Sequence, residues 1–271
     1  MLARAYAFGA LVLLAAAVPL PAQAGDLGEW GDAPEGVIAY PSLAVTGAFP
    51  TCQNVGPAMW VYHGALCWAH FPGGPPPFDF ETEGNAGLCP GFAPYDNDEC
   101  WNTPDGGLLF PPPYTIQAGV VVPCISHGSL GIECYMAVWG TDVDILVVNS
   151  MPCVGYANVL MDWNQDGQWG GSSTCPAGQA PEHVLVDWPV PMGFGAPGGA
   201  ALSLLGPPNF RIGPQPGYVW TRFTISETPV GADWNGAALF EDGETEDYLL
   251  RIDADSPVEG STWGCIKYLY R

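Results

Sequence analysis

Short runs of β-branched and aromatic residues, separated by turn residues, dominate the chain after Tyr114. They predict strands at residues 119–123, 134–140, 143–149, 157–163, 183–188, 200–205, 218–226 and 248–252. Phe223 alternates with Arg222 and Thr224, so we expect these side chains to point to opposite faces of a sheet. Because no helical period separates the runs, the pattern predicts an all-β fold, an antiparallel β-sandwich of the jelly-roll or Ig-like kind.

The pattern before Tyr114 is weaker. The chain contains 36 Gly and 29 Pro, and proline-rich stretches at 71–77 and 110–113 interrupt any periodicity. We predict a loop-rich, disulfide-bonded β region at 25–135, a β-sandwich domain at 136–253, and a linker with a C-terminal tail peptide at 254–271. Two interpretations of the tail stay open: a last strand or short helix that docks on the body, or a sorting or attachment peptide.

Residues 1–24 have the pattern of a signal peptide. Arg4 precedes an apolar run at 8–18 that is too short to span a membrane, and the small residues at 22–24 fit a cleavage site. We therefore expect a secreted or cell-surface protein, without membrane insertion after signal cleavage.

Nine cysteines in an exported chain indicate disulfide bonds. The simplest arrangement joins sequence neighbours, and the predicted pairs are Cys52–Cys67, Cys89–Cys100, Cys124–Cys134 and Cys153–Cys175. This arrangement leaves Cys265 as a free thiol or as an intermolecular link.

The chain is strongly acidic. It has 28 Asp and Glu against 6 Lys and Arg, a formal net charge of −22. Such a protein is repelled by nucleic acid and by anionic membrane surfaces, so we exclude nucleic acid as a partner. The negative charge either favours binding of cations or simply keeps the protein soluble in a salty medium.

Residues 162–169 (DWNQDGQW) carry the clearest chemical signal. Asp162, Asn164 and Asp166 alternate and Gly167 follows, which is the opening pattern of an EF-hand calcium loop. That loop also needs a bidentate Glu at its twelfth position, where this chain has Ser173. Either ligands from elsewhere complete a Ca²⁺ site, or the segment is an Asx-rich turn that hydrogen-bonds its own backbone.

The acidic segment 241–247 is the expected donor of the missing ligands. The predicted metal ligands are Asp162, Asn164, Asp166 and Gln168 from the loop, and Glu244, Glu246 and Asp247 from the acidic segment. Arg222 offers a second explanation for the acidic segment, an arginine–carboxylate pair, and the two explanations are compatible.

The chain contains WGDAPE at 30–35, DWNQDGQW at 162–169, TRFTIS at 221–226 and GETEDY at 243–248. These four motifs resemble those of bacterial secreted proteins that carry a GEVED domain, although this chain has Thr245 where the family usually has Val. The resemblance covers residues 150–252 and the opening motif. It implies an extracellular β-sandwich module of surface or secreted proteins, often beside adhesion-like modules, and it implies no established catalysis.

The predicted function is therefore a non-catalytic secreted or cell-surface module for recognition, assembly or adhesion, with Ca²⁺ as a stabilising ion. Its partner would be an extracellular protein or a glycan. Two alternatives stay open: a carbohydrate-binding module that uses exposed Trp rings, and a secreted hydrolase with a carboxylate pair that spacing cannot identify. The sequence contains neither a His-Glu-x-x-His nor a Gly-x-Ser-x-Gly motif.

Overall fold

A computed structural model describes residues 31–51, 59–60, 66–68, 100, 107–196, 198–240 and 243–255 of the chain. The predicted signal peptide and the tail from 256 lie outside these ranges, as does most of 52–106. Within them the protein is all-β, as predicted, with one short 3₁₀ helix. None of the described helices is long and apolar enough to span a membrane.

The strands are numbered β1 to β19 in chain order. They are β1 Glu35–Tyr40, β2 Val45–Ala48, β3 Met59–Trp60, β4 Leu66–Trp68, β5 Leu108–Phe110, β6 Tyr114–Gln117, β7 Val120–Pro123, β8 Gly131–Ile132, β9 Met136–Ala137, β10 Asp144–Asn149, β11 Gly155–Met161, β12 Ser172–Cys175, β13 Gly178–Pro181, β14 His183–Val190, β15 Ala200–Ala201, β16 Phe210–Arg211, β17 Gly217–Ser226, β18 Leu239–Phe240 and β19 Gly243–Asp253. The 3₁₀ helix is Leu202–Leu205.

The largest sheet has seven strands, in the order β14-β11-β17-β19-β6-β7, with β8 also paired to β19. Its two longest strands, β17 and β19, pair antiparallel from Ser226↔Gly243 to Gly217↔Ile252. β17 is rich in β-branched and aromatic residues, whereas β19 carries several charged residues, and both strands are buried along nearly their whole length. We refer to this sheet as the main sheet.

One face of the main sheet packs against a smaller sheet built around β10, which pairs with β15, β4 and β5. Ile145 and Val147 of β10 share a hydrophobic core with Val159 of β11 and with Phe223 and Ile225 of β17. The two layers and their shared core give the sandwich-like packing that the alternating pattern predicts.

The β1–β2 hairpin covers the opposite face of the main sheet. Ala39, Tyr40 and Phe49 pack there with Trp220 of β17 and Leu249 of β19 in a second core. β17 and β19 are therefore buried on both faces, which explains why polar residues in them are inaccessible to solvent. Segments that precede the predicted boundary at 135/136, including β6, take part in the same sheet and the same cores.

The disulfides differ from the predicted pairing of sequence neighbours. Cys100 pairs with Cys124, and Cys134 pairs with Cys175, with Cα–Cα distances of 5.5 and 5.4 Å. Cys153 is an exposed free thiol. The predicted pairs of Cys100, Cys124, Cys134, Cys153 and Cys175 are therefore wrong, because loops that are distant in sequence meet in the folded chain. The side chains of Cys52, Cys67, Cys89 and Cys265 lie outside the described residues.

Candidate functional site

A buried ion pair lies in the middle of the main sheet. Arg222 of β17 lies opposite Leu160 of β11 on one side and Asp247 of β19 on the other. Both charged side chains are 0% exposed. Arg222 donates from Nε to Oδ1 of Asp247 at 2.8 Å and from Nη2 to Oδ2 at 2.6 Å. This bidentate geometry confirms that arginine offsets one carboxylate of the acidic segment.

The remaining donors of Arg222 are also satisfied. Its Nη1 donates to the carbonyl oxygens of Pro50 at 2.6 Å and Gly236 at 2.8 Å, and its Nη2 donates to Oγ1 of Thr51 at 3.2 Å. The guanidinium carbon lies 4.3 Å from the centre of the Trp169 ring. The hydrogen-bond donors of Arg222 and one face of its guanidinium are engaged within the protein. Arg222 therefore stabilises the fold and has no donor left for an external ligand.

The opening motif docks directly on this ion pair. The Ala33 N–H donates to Oδ2 of Asp247 at 2.8 Å, and Oγ1 of Thr51 donates to the Ala33 carbonyl at 2.8 Å. A Cβ atom at Gly31 would collide with the Asp247 carboxylate and would lie 2.5 Å from Nη2 of Arg222. Only glycine fits at position 31 without moving the ion pair.

Asp162 organises the loop that follows β11. Its Oδ2 accepts hydrogen bonds from the Tyr40 hydroxyl and the Gly167 N–H, both at 2.9 Å, and its Oδ1 accepts from the Asp166 N–H at 3.2 Å. Gln165 and Gly167 have φ values of +56° and +85°, which turn the chain back on itself. The bond between position 6 (Gly167) and position 1 (Asp162) closes the loop into a tight, preformed turn.

Asn164, Asp166 and Gln168 lie on the exposed side of this loop. The Asn164 Oδ1 accepts from the Asp166 N–H at 2.9 Å, and the Asp166 Oδ1 accepts from the Gln168 N–H at 3.0 Å. The Asn164 amide also donates to Asp166 Oδ2 at 3.0 Å. These are the local bonds that an Asx-rich turn predicts, and each acceptor oxygen keeps a second lone pair for another partner.

The acidic side chain beside this loop is Glu182, which the sequence patterns do not reveal. Its side chain is fully buried, its Oε2 accepts from the Gly170 N–H at 2.9 Å, and its Oε1 has no hydrogen-bond partner. The Glu182 carbonyl accepts from the Met161 N–H at 2.8 Å, so its backbone lies directly beside the start of the loop.

Burial and neighbouring negative charge raise the pKa values of both buried carboxyls. Burial, followed by the negative charge of Asp162, raises the pKa of Glu182 to about 8. The backbone N–H groups of Gly170 and Asn164 lower this pKa by a smaller amount. Burial also raises the pKa of Asp162 to about 6, with a smaller contribution from the charge of Asp166, while the Gly167 N–H lowers it. Both buried carboxyls therefore resist ionisation in the absence of a compensating positive charge.

Glu244 and Glu246 of the acidic segment lie elsewhere. They are buried in β19 in register with Ile225 and Phe223, and strand alternation places them on the face opposite to Asp247. Asp162 lies level with Trp220, because the Asp162 N–H donates to the Trp220 carbonyl. Trp220 pairs with Leu249 of β19, and Leu249 lies three positions, or roughly 10 Å, along the strand from Glu246. The structure does not bring Glu244, Glu246 and Asp247 to the loop.

The described tryptophan rings, which are the candidates for sugar binding, are mostly buried. Five of the described Trp side chains are buried and Trp188 is half-buried; the buried rings are Trp139, Trp163, Trp169, Trp220 and Trp234. Among the described residues, no three His, Cys, Asp or Glu side chains are grouped so as to hold a metal ion as they stand. Calcium binding therefore stays a prediction.

No family model matches this chain, and no curated protein or solved structure is significantly similar to it. The resemblance to the GEVED domain rests on the four quoted motifs alone.

Proposed function

We propose that this chain is a non-catalytic module for recognition or assembly that is secreted or displayed on the cell surface. The observation that carries the proposal is that four motifs from distant parts of the sequence meet around one ion pair. Arg222 and Asp247 form the pair, Ala33 caps the aspartate, and Trp169 covers the arginine. The motifs behind the resemblance thus form a single structural unit.

The roles of these residues are structural. The guanidinium of Arg222 and the carboxylate of Asp247 are enclosed, and Gly31 is present because no larger residue fits. None of them faces a substrate. In such a scaffold, recognition belongs to the surface loops that the rigid sheet supports. The resemblance adds the expectation of an extracellular location, which the two described disulfides fit.

The described residues give less support to the two alternatives. A hydrolase needs carboxylates that reach a glycosidic or peptide bond, whereas the neighbouring acids Asp162 and Glu182 are both 0% exposed. A sugar-binding platform needs exposed aromatic rings, and none of the described Trp side chains is exposed.

Activity and binding panels test the proposal. The oxidised protein, residues 25–271, would be incubated with polysaccharide and peptide libraries and the products followed by mass spectrometry. We expect no turnover, and turnover that disappears in Glu182→Gln would establish a hydrolase and overturn the proposal. A glycan array run in parallel addresses sugar binding, and specific hits would favour the carbohydrate-binding alternative.

Export is tested separately. The full chain and a version without residues 1–24 would be expressed in a bacterial host. We expect only the full chain to reach the extracellular or surface fraction, with a new N-terminus near Gly25. An intact N-terminus and cytoplasmic retention of the full chain would contradict the predicted location.

A further inference from the structure

We propose that the loop after β11 binds one Ca²⁺ ion, and that Glu182 supplies the carboxylate that an EF-hand loop takes from its own twelfth position. This inference is independent of the recognition role, because the ion would stabilise the fold whether or not the module binds a partner.

Glu182 is the observation that points to a ligand. It is fully buried, yet its Oε1 has no hydrogen-bond partner, and an unpaired buried carboxylate oxygen is costly. The Gly170 N–H fixes the other oxygen at 2.9 Å. The backbone of Glu182 also accepts from the Met161 N–H at 2.8 Å and donates to the Gly171 carbonyl at 3.1 Å, so this residue lies beside both ends of the loop. A cation would favour the ionised form of Glu182 and would compensate its charge together with those of Asp162 and Asp166.

The path of the chain explains how a residue twenty positions downstream reaches the loop. After Gly171 the chain leaves in the β12–β13 hairpin, with Ser173 paired to Ala180, so the twelfth loop position lies in a strand. The hairpin returns at Glu182, whose N–H donates to the Gly171 carbonyl at 3.1 Å and whose carbonyl accepts from Met161. The hairpin thus returns Glu182 to both ends of the loop, next to Met161 and Gly171.

The loop offers the other oxygen ligands in the order an EF-hand uses them. Asp162, Asn164 and Asp166 occupy positions 1, 3 and 5, Gly167 occupies position 6, and the carbonyl of Gln168 is at position 7. Asp162 is held in place by Tyr40 and Gly167. The side chains of Asn164 and Asp166 are exposed and held only by local hydrogen bonds. These bonds must rearrange when an ion binds, because the acids do not converge on one point as they stand.

The donor set selects calcium. All the ligands are hard carboxylate, amide or carbonyl oxygens, which suits Ca²⁺ and gives no nitrogen or sulfur for Zn²⁺. A donor set of three carboxylates with amide and carbonyl oxygens fits the larger coordination number of Ca²⁺, whereas Mg²⁺ demands a near-ideal octahedron and keeps its waters. We expect a Kd of about 10⁻⁴–10⁻³ M, the range of extracellular calcium modules.

Two tryptophans make the site directly observable. Trp163 and Trp169 lie within the loop segment, so their excitation should sensitise the emission of Tb³⁺ bound in place of Ca²⁺. We expect sensitised emission in the chelator-treated and then Tb³⁺-loaded protein, and its displacement by added CaCl₂. Wild-type protein without Tb³⁺ emission, or with emission that CaCl₂ does not displace, would overturn the proposal.

Three variants assign the ligands. Glu182→Gln and Asp166→Asn each remove one carboxylate and keep the side-chain shape. Each should lower the affinity for Ca²⁺, measured by displacement of Tb³⁺ with CaCl₂, by about tenfold or more. Asp142→Asn is the matched control, because Asp142 lies in another turn and accepts only from the Val138 N–H among its described contacts. Equal affinity in wild type and Glu182→Gln would overturn the role of Glu182.

A measurement of folding separates a lost site from a lost fold. Near-ultraviolet circular dichroism of each variant in chelator should match the wild type. In Glu182→Gln the new side-chain amide oxygen can still accept from the Gly170 N–H, and Asp166 is exposed. If Glu182→Gln is misfolded, the exposed Asp166→Asn variant decides: retained wild-type Ca²⁺ affinity there would refute the site.

Discussion

The buried ion pair can be tested by replacing Arg222 with methionine, which keeps most of the side-chain stem and removes the guanidinium. Asp247 would then be buried with the Ala33 N–H as its described donor, and the carbonyls of Pro50 and Gly236 would lose theirs. Removing one partner of a buried pair costs about 3–5 kcal/mol. For a chain of this size, about 2–4 °C per kcal/mol gives a fall in Tm of roughly 6–20 °C.

The assay is urea and thermal unfolding, followed by tryptophan fluorescence and circular dichroism. Arg251→Met is the matched control, because Arg251 pairs with Asp253 at 2.7 Å with side chains 39% and 38% exposed. A partly exposed pair of this kind contributes no more than about 1 kcal/mol. We therefore expect a large loss of stability from Arg222→Met and a small one from Arg251→Met.

Equal effects of the two substitutions would refute the central role of the ion pair. The double variant Arg222→Met/Asp247→Leu sharpens the test, because it removes both charges. It should recover part of the lost stability, and only part, since the N–H of Ala33 and the carbonyl of Gly236 stay buried without a partner at about 1–3 kcal/mol each.

Three further predictions concern other residues. Loss of the Cys134–Cys175 disulfide, which spans 41 residues, should cost about 4 kcal/mol by the chain-entropy relation; an unchanged Tm after Cys134→Ala/Cys175→Ala would contradict it. Gly31→Ala should destabilise by about 1–3 kcal/mol through overpacking, whereas Gly198→Ala, with open space around it, should not; equal melting of the two would refute the clash. The folded-state pKa of Glu182 is raised, so in chelator its protonation stabilises the fold below pH 4.5 and this contribution is lost as pH rises through about 8. Tm should fall over that range in wild type and fall less in Glu182→Gln, and parallel profiles would show that Glu182 does not titrate there.

Several strands were predictable because each is a short apolar run bounded by turn residues. β10, β11, β14 and β17 all lie where the pattern predicts them. The hairpin of β12 and β13 was not predictable, because SSTC and GQAP contain few β-branched or aromatic residues and depend on pairing with each other. The segment 200–205 is mostly a 3₁₀ helix, although its apolar run predicts a strand.

The acidic segment shows where local pattern misleads. Glu244, Glu246 and Asp247 read as accessible ligands because acidic residues are usually exposed. They are instead buried in the longest strand, since β19 lies between β17 and β6 and both faces of the sheet are covered. The charge of Asp247 is offset by Arg222, a partner 25 positions away that register alone brings opposite.

Glu182 could not be found from spacing. It belongs to no motif, and it reaches the loop after β11 only because of the β12–β13 hairpin, whose length the sequence pattern does not predict. A loop that has the first half of an EF-hand and lacks its last ligand nevertheless makes a prediction. It predicts that the missing ligand comes from the next acidic residue after a hairpin.

The loop and the ion pair belong to the same cooperative unit because they share side chains. Trp169 ends the loop and covers the guanidinium of Arg222 at 4.3 Å, and Tyr40 accepts from the Trp220 N–H while donating to Asp162. A cation that binds only the folded state at 100 times its Kd stabilises it by about 2.7 kcal/mol. In Arg222→Met, Trp169 loses its cationic partner and holds the loop less firmly, so we expect calcium to stabilise this variant less than wild type. Equal stabilisation by calcium in both proteins would show that the loop and the ion pair are energetically independent.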